Sequence, residues 1–125
     1  MATHAIPTAA DLVEAVREFL TDEVRPATAG RVEFLARVAS NTLAIVEREL
    51  RYGPADAVRH AARLERLGVA DDRELARAIR SGALDDRIND VVDAARADTL
   101  ERLRIANPGW LTPADADALD IEPRG

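Results

Sequence analysis

The sequence predicts an all-α fold, a helical bundle of three long helices plus a short helical hairpin, with no sheet. Three observations carry that expectation. Apolar residues recur at the three-to-four-residue spacing of an amphipathic helix along most of the chain. Pro and Gly fall between those runs as punctuation, at Pro26, Gly30, Gly53-Pro54, Gly68, Gly82 and Pro108-Gly109. An alternating run of Val, Ile and Thr, which a strand would need, is found nowhere.

The first helix is expected from Ala9 to Val24, with Thr8 as N-cap, Asp11 completing a variant capping box, and a stop near Pro26. Leu12, Val16, Phe19 and Leu20 share its apolar face. A second helix is expected from Arg31 to Tyr52, closed by Gly53-Pro54. Its apolar arc is wide enough to contact two neighbours, so Leu35, Val38, Thr42, Ile45 and Val46 are expected to be among the most buried residues. The third, from Ala55 to Leu67, starts at Pro54, ends at Gly68 and offers a mostly alanine face. Asp71 or Asp72 caps a fourth, short helix that ends at Ser81-Gly82, and these two form the hairpin. The last long helix runs from Asp85 or Asp86 to Ile105, with Ile88, Val91, Val92, Ala95, Thr99 and Leu103 on one side, and Asn107-Pro108-Gly109 ends it. Residues 1–110 thus read as one helical-bundle domain, and 111–125 as a tail that is either a short helix or disordered, with only Leu119 and Ile121 to bury. Gly30, Gly53, Gly68 and Gly82 should all lie in or beside inter-helix connections.

Composition narrows the function. The chain has 125 residues, 23 acids and 17 basic residues, for a net charge of -6, which disfavours nucleic acid as a partner. There is no Cys, and all the basic residues are Arg, so thiolate nucleophiles, cysteine metal sites, Schiff-base lysines and a P-loop lysine are excluded. No apolar stretch approaches the length of a membrane span, and the N-terminus lacks the pattern of a signal peptide, which points to a cytoplasmic protein.

No catalytic constellation is visible. Neither His4 nor His60 has a Glu three residues before it, as a di-iron helix pair would require, so no metal and no cofactor are expected. His4 reads as a terminal residue and His60 as a solvated one. Ser40 sits on the polar side of the second helix without an oriented base. More informative are polar residues in unusual places. Glu49 lies within the apolar arc of the second helix and Arg102 within that of the last, making them a candidate buried charge pair if those two helices run parallel. Arg37 and Asn41, spaced i, i+4, and the aromatics Tyr52 and Trp110 near helix ends are candidate partner or ligand contacts.

The segments IPTAADLVEAVREFL, GRVEFLARVASNTLAIVERELRYGP, LARAIRSGALDDR and TLERLRIANPGW, within residues 5 to 110, resemble an uncharacterised bacterial family of small helical domains. Similar domains occur beside, or joined to, aminoglycoside-phosphotransferase-like kinases, in neighbourhoods that also hold acyl-CoA dehydrogenases. The resemblance implies a non-catalytic accessory or regulatory domain that acts through protein contacts, with such a kinase or dehydrogenase or as a homodimer. The alternative is a binder of acyl or acyl-CoA molecules, or a minor enzyme, with an inter-helix pocket where Arg37 or Arg102 would hold an anionic group.

Overall fold

A computed structural model describes residues 6–120; His4 and Ile121 lie outside them. Every regular element among the described residues is helical: α1 (Ala9–Phe19), a π-helical turn (Leu20–Val24), α2 (Arg25–Ala27), α3 (Gly30–Arg66), α4 (Asp72–Ser81), α5 (Ile88–Ala106) and α6 (Pro113–Asp120). The caps follow the sequence signals. Thr8 Oγ1 accepts from the Asp11 amide at 3.1 Å while Asp11 accepts from the Thr8 amide at 3.0 Å. Thr112 and Asp115 repeat the same exchange at the start of α6, in the stretch read as a tail. Asp71 caps α4 through the Glu74 amide, and Gly82 ends it at φ +82°, where an L side chain would be strained.

The first helical run stops near Pro26 as expected, with Ala27 its last residue. Pro26 lacks the N–H that would serve Asp22, and the turn before it widens, so that the Arg25 amide reaches back five residues to the Leu20 carbonyl. One expectation about the elements is corrected: Gly53 and Pro54 do not separate two helices, and α3 starts at Gly30 and runs on through both to Arg66. Alanine-rich sequence follows the proline, and side-chain pairs flank it closely, Arg51 with Glu14 at 2.8 Å on one side and Asp56 with Arg104 at 2.8 Å on the other. Tertiary anchoring of both flanks outweighs one missing backbone bond.

The chain divides into two compact units, Met1–Gly53 and Pro54–Gly125. In the first, α1 and the first half of α3 form an antiparallel hairpin, as the pairs Arg51–Glu14, Arg17–Glu47 and Arg25–Glu33 show by their order. Its seam is narrow and partly polar. Ala10 and Ala36 are buried in it, and the Thr21 and Ser40 hydroxyls meet at 2.7 Å. Ser40 is therefore buried and partnered, not on a solvated face.

The wide apolar arc of α3 is not the core. Leu35, Val38, Ile45 and Val46 are each 40–45% exposed and Thr42 is exposed as well, because the residues that close on α1 are Ala36, Ser40, Leu43 and Glu47, on the other side of the helix. Small residues permit close approach, and the large ones are left outside.

The Thr21–Ser40 pair supports a direct test. Thr21→Val leaves the buried Ser40 hydroxyl without its partner and is expected to cost about 1–2 kcal/mol, whereas Thr21→Val with Ser40→Ala should lose less than the two single changes together. Urea unfolding of the three variants measures this.

In the second unit the latter half of α3 runs antiparallel to α5, with α4 and α6 beside them. Its apolar core is small: Leu67, Leu84 and Val91, with Val69, Leu75, Ala78 and Ala94 packed against it. The side of α5 turned inward carries Val91, Ala94, Asp98 and Glu101, one position round from the expected apolar stripe, and Val92 is 56% exposed.

Candidate functional site

The most concentrated chemistry among the described residues is the α3–α5 seam of the second unit. Asp56, Arg59 and Arg63 descend one face of α3 at i, i+3 and i+7, and Asp98, Glu101 and Arg104 answer them from α5. Arg63 grips Glu101 with two parallel bonds, Nη1 to Oε1 at 2.8 Å and Nη2 to Oε2 at 2.9 Å, and reaches Asp98 at 2.6 Å. Arg59 Nε donates to the same Glu101 at 2.7 Å and also binds Asp56, which Arg104 reaches at 2.8 Å. Arg63 and Glu101 are only 6% and 4% exposed. A forked guanidinium against a carboxylate is the geometry that makes such a pair strong.

His60 belongs to the same seam and is not a solvated residue: Nδ1 lies 2.9 Å from Asp98 Oδ2 and Nε2 lies 2.9 Å from Asp72 Oδ1. Its partners come from two other helices, α5 and α4. The seam places three acids (Asp56, Asp98, Glu101) against three arginines (Arg59, Arg63, Arg104), so its charges balance internally.

Burial alone would raise the Glu101 carboxyl, but hydrogen bonds from Arg63 and then Arg59 outweigh it and hold the group below its ordinary value of 4.5. The same contacts raise Arg63 and Arg59, chiefly through the hydrogen bond to Glu101. A carboxyl depressed in the folded state adds stability that is complete above its unfolded range and is lost as pH falls through its folded value. Stability is therefore expected to fall on acidification from about pH 5 downward, and Glu101→Gln should flatten that acid limb in urea melts collected across the pH range.

Beside the seam an open cleft of about 560 Å³ is lined by Arg63, Arg66, Arg87, Asp90 and Asp93, with Leu67 and Ala94 at its apolar side. Arg87 is engaged there, donating to the Arg66 carbonyl at 2.9 Å and to Asp90 at 3.3 Å. Neither Arg37 nor Arg102 lines it.

The residues singled out from sequence are placed as follows. Glu49 and Arg102 are both exposed, so the expected buried pair is not formed by them; the buried carboxylate is Glu101, one residue earlier and about 100° round the helix. Arg37 is exposed, 5.6 Å above the Phe34 ring and 4.0 Å from Glu33, and Asn41 is exposed beside it. Tyr52 is 38% exposed near the end of the first unit, and Trp110, in the turn Pro108–Trp110, is 76% exposed and caps nothing. Sequence reasoning missed the seam altogether, although its signal was present in the charged residues recurring at helical spacing on both helices.

A second feature is apolar. In the first unit Leu12, Val16, Phe19, Val32, Leu35 and Val38 are 44–57% exposed, and Ile45, Val46 and Leu50 are 39–41% exposed. Large apolar side chains left exposed in this number are the kind of surface that interaction sites present.

Among the described residues no helix is long and apolar enough to cross a membrane, and no group of three His, Cys, Asp or Glu is placed to hold a metal. No curated protein and no solved structure matches the chain. A family model does match, over residues 26–110, from α2 to the turn that carries Trp110. The chain thus belongs to the family described as a domain of unknown function, DUF6285.

Proposed function

We propose that this protein is a non-catalytic accessory domain that acts through protein–protein contacts, with an aminoglycoside-phosphotransferase-like kinase or an acyl-CoA dehydrogenase, or with a second copy of itself. The observation that carries this reading is the run of large apolar side chains left in water on the first unit, where a filled seam of Ala36 and Ser40 leaves them no internal partner. The charged seam supports the same reading. Its carboxylates and guanidiniums are committed to one another, so they hold two helices together and leave little to offer a reacting molecule. Trp110 presents a large aromatic anchor in the second unit.

The cleft lined by Arg63, Arg66 and Arg87 favours a second reading, an anionic acyl or acyl-CoA ligand. Asp90 and Asp93 in the same wall, and the commitment of Arg63 to Glu101, oppose it.

Tagged protein purified from its native cells is expected to bring down a kinase or dehydrogenase of these classes, to re-form the complex from purified components, and to turn over no substrate alone. A chain that captures no partner and stays monomeric, yet binds an acyl-CoA at micromolar concentration in calorimetry, overturns the proposal in favour of the ligand reading.

A further inference from the structure

On the outer side of α3, Arg31, Leu35, Val38, Thr42, Ile45 and Glu49 follow one another at alternating steps of four and three residues, and all six are exposed. At about 100° per residue they fall within an arc of roughly 80°, turned away from Ala36, Ser40 and Glu47 in the seam with α1. This is a heptad stripe, the pattern that seats one helix against another. It is also symmetric about residue 40. Positions 35 and 45 are both large and apolar, 38 and 42 are both β-branched, and the two ends carry opposite charges.

We propose that a second copy of this chain covers the stripe, with the two α3 helices antiparallel about a twofold axis level with Ser40. This rests on the protein-contact reading above and names the occupant of the apolar face. In that register Arg31 of each copy meets Glu49 of the other, Leu35 meets Ile45, and Val38 meets Thr42. A parallel pairing would set Arg31 against Arg31 and Glu49 against Glu49, so charge selects the antiparallel one. A surface that pairs with itself in this way is what a twofold dimer requires.

Two details fit. Thr42 Oγ1 donates to the Val38 carbonyl at 2.9 Å, so its hydroxyl is already satisfied and its methyl faces the partner without loss of a hydrogen bond. Asn41, one position from the axis, lies beside the stripe and not in it, level with Ala39 of the other copy, so it gives the seam a polar edge at its centre.

The exposed apolar residues of α1, Leu12, Val16 and Phe19, lie roughly opposite Ala10, Arg17 and Thr21, and the stripe is turned away from α1, so α3 alone forms the proposed seam.

The experiment uses the full chain and two charge reversals, Arg31→Glu and Glu49→Arg, each at an exposed position so that folding is preserved, which circular dichroism checks. Sedimentation equilibrium should give the wild type twice the 13.6 kDa chain mass. Each reversal alone sets like charges together at both ends of the seam and should weaken the dimer at least tenfold. The two variants mixed restore both pairs and should form a heterodimer. Wild-type monomers at several hundred micromolar overturn the proposal, as do single variants that dimerise like the wild type, or a mixture that stays monomeric. A monomer that still holds a purified kinase or dehydrogenase, and loses it with Val38→Glu, removes the second copy and leaves the broader reading standing; a monomer that holds neither removes both.

Discussion

Replacing Glu101 by alanine is expected to cost about 3–5 kcal/mol, the largest loss of any single change in the second unit. The carboxylate accepts from Arg63 and Arg59, and Arg63 is itself buried, so truncation takes from a desolvated guanidinium the carboxylate it holds with two bonds. The loss measures an abandoned charge more than the net worth of the pair. Accordingly, Glu101→Leu combined with Arg63→Met should recover much of the stability that either change loses alone, because two apolar groups of similar volume leave no charge stranded between them. Thermal and urea unfolding of the four proteins decides the matter. A loss under about 1 kcal/mol for Glu101→Ala would mean that water screens the pair as it does at a surface.

The second large effect has the opposite sign. Pro54 sits inside α3, where it cannot donate to the Leu50 carbonyl and its ring presses on that turn. A proline in a helix interior costs about 3 kcal/mol, while releasing it returns up to about 1 kcal/mol of freedom to the unfolded chain. Pro54→Ala is therefore expected to stabilise the protein by about 2 kcal/mol, seen as a higher urea midpoint at unchanged slope. A loss of stability would show instead that the neighbouring pairs depend on the local backbone that Pro54 sets.

Pro54 also shows how far the chain could be read unaided. Local signals with a local mechanism were legible: Thr8 with Asp11, Asp71 before α4, and Gly68 and Gly82 at φ +76° and +82° all sit where their side chains or backbones place them. Gly53-Pro54 carries the same kind of signal and was overridden, since the anchoring of Arg51 and Asp56 on either side is tertiary and leaves no mark at positions 53 and 54.

Helix faces were harder to read for a different reason. Hydrophobic periodicity finds a core only where the core is apolar. Here each helix pair closes on small and charged residues, Ala36, Ser40 and Glu47 in one unit and Arg63, Asp98 and Glu101 in the other, so the most apolar stripe of α3 marks the outside. The second unit was misread by one position on α5, and charge spacing along Asp56, Arg59 and Arg63 would have corrected it.

The modest apolar interior has a calorimetric consequence. Among the described residues no side chain is more than 98% buried, and the buried apolar set is Ala10, Ala36, Leu64, Leu67, Leu84 and Val91. The heat-capacity change of unfolding comes chiefly from apolar surface newly exposed to water, and exposed polar surface lowers it. A single chain should therefore fall below the ordinary value of about 12–15 cal/mol/K per residue and have an unusually flat stability curve. Its charged seam loses less on heating than a greasy one of equal strength, because the desolvation penalty of ion pairs shrinks as temperature rises.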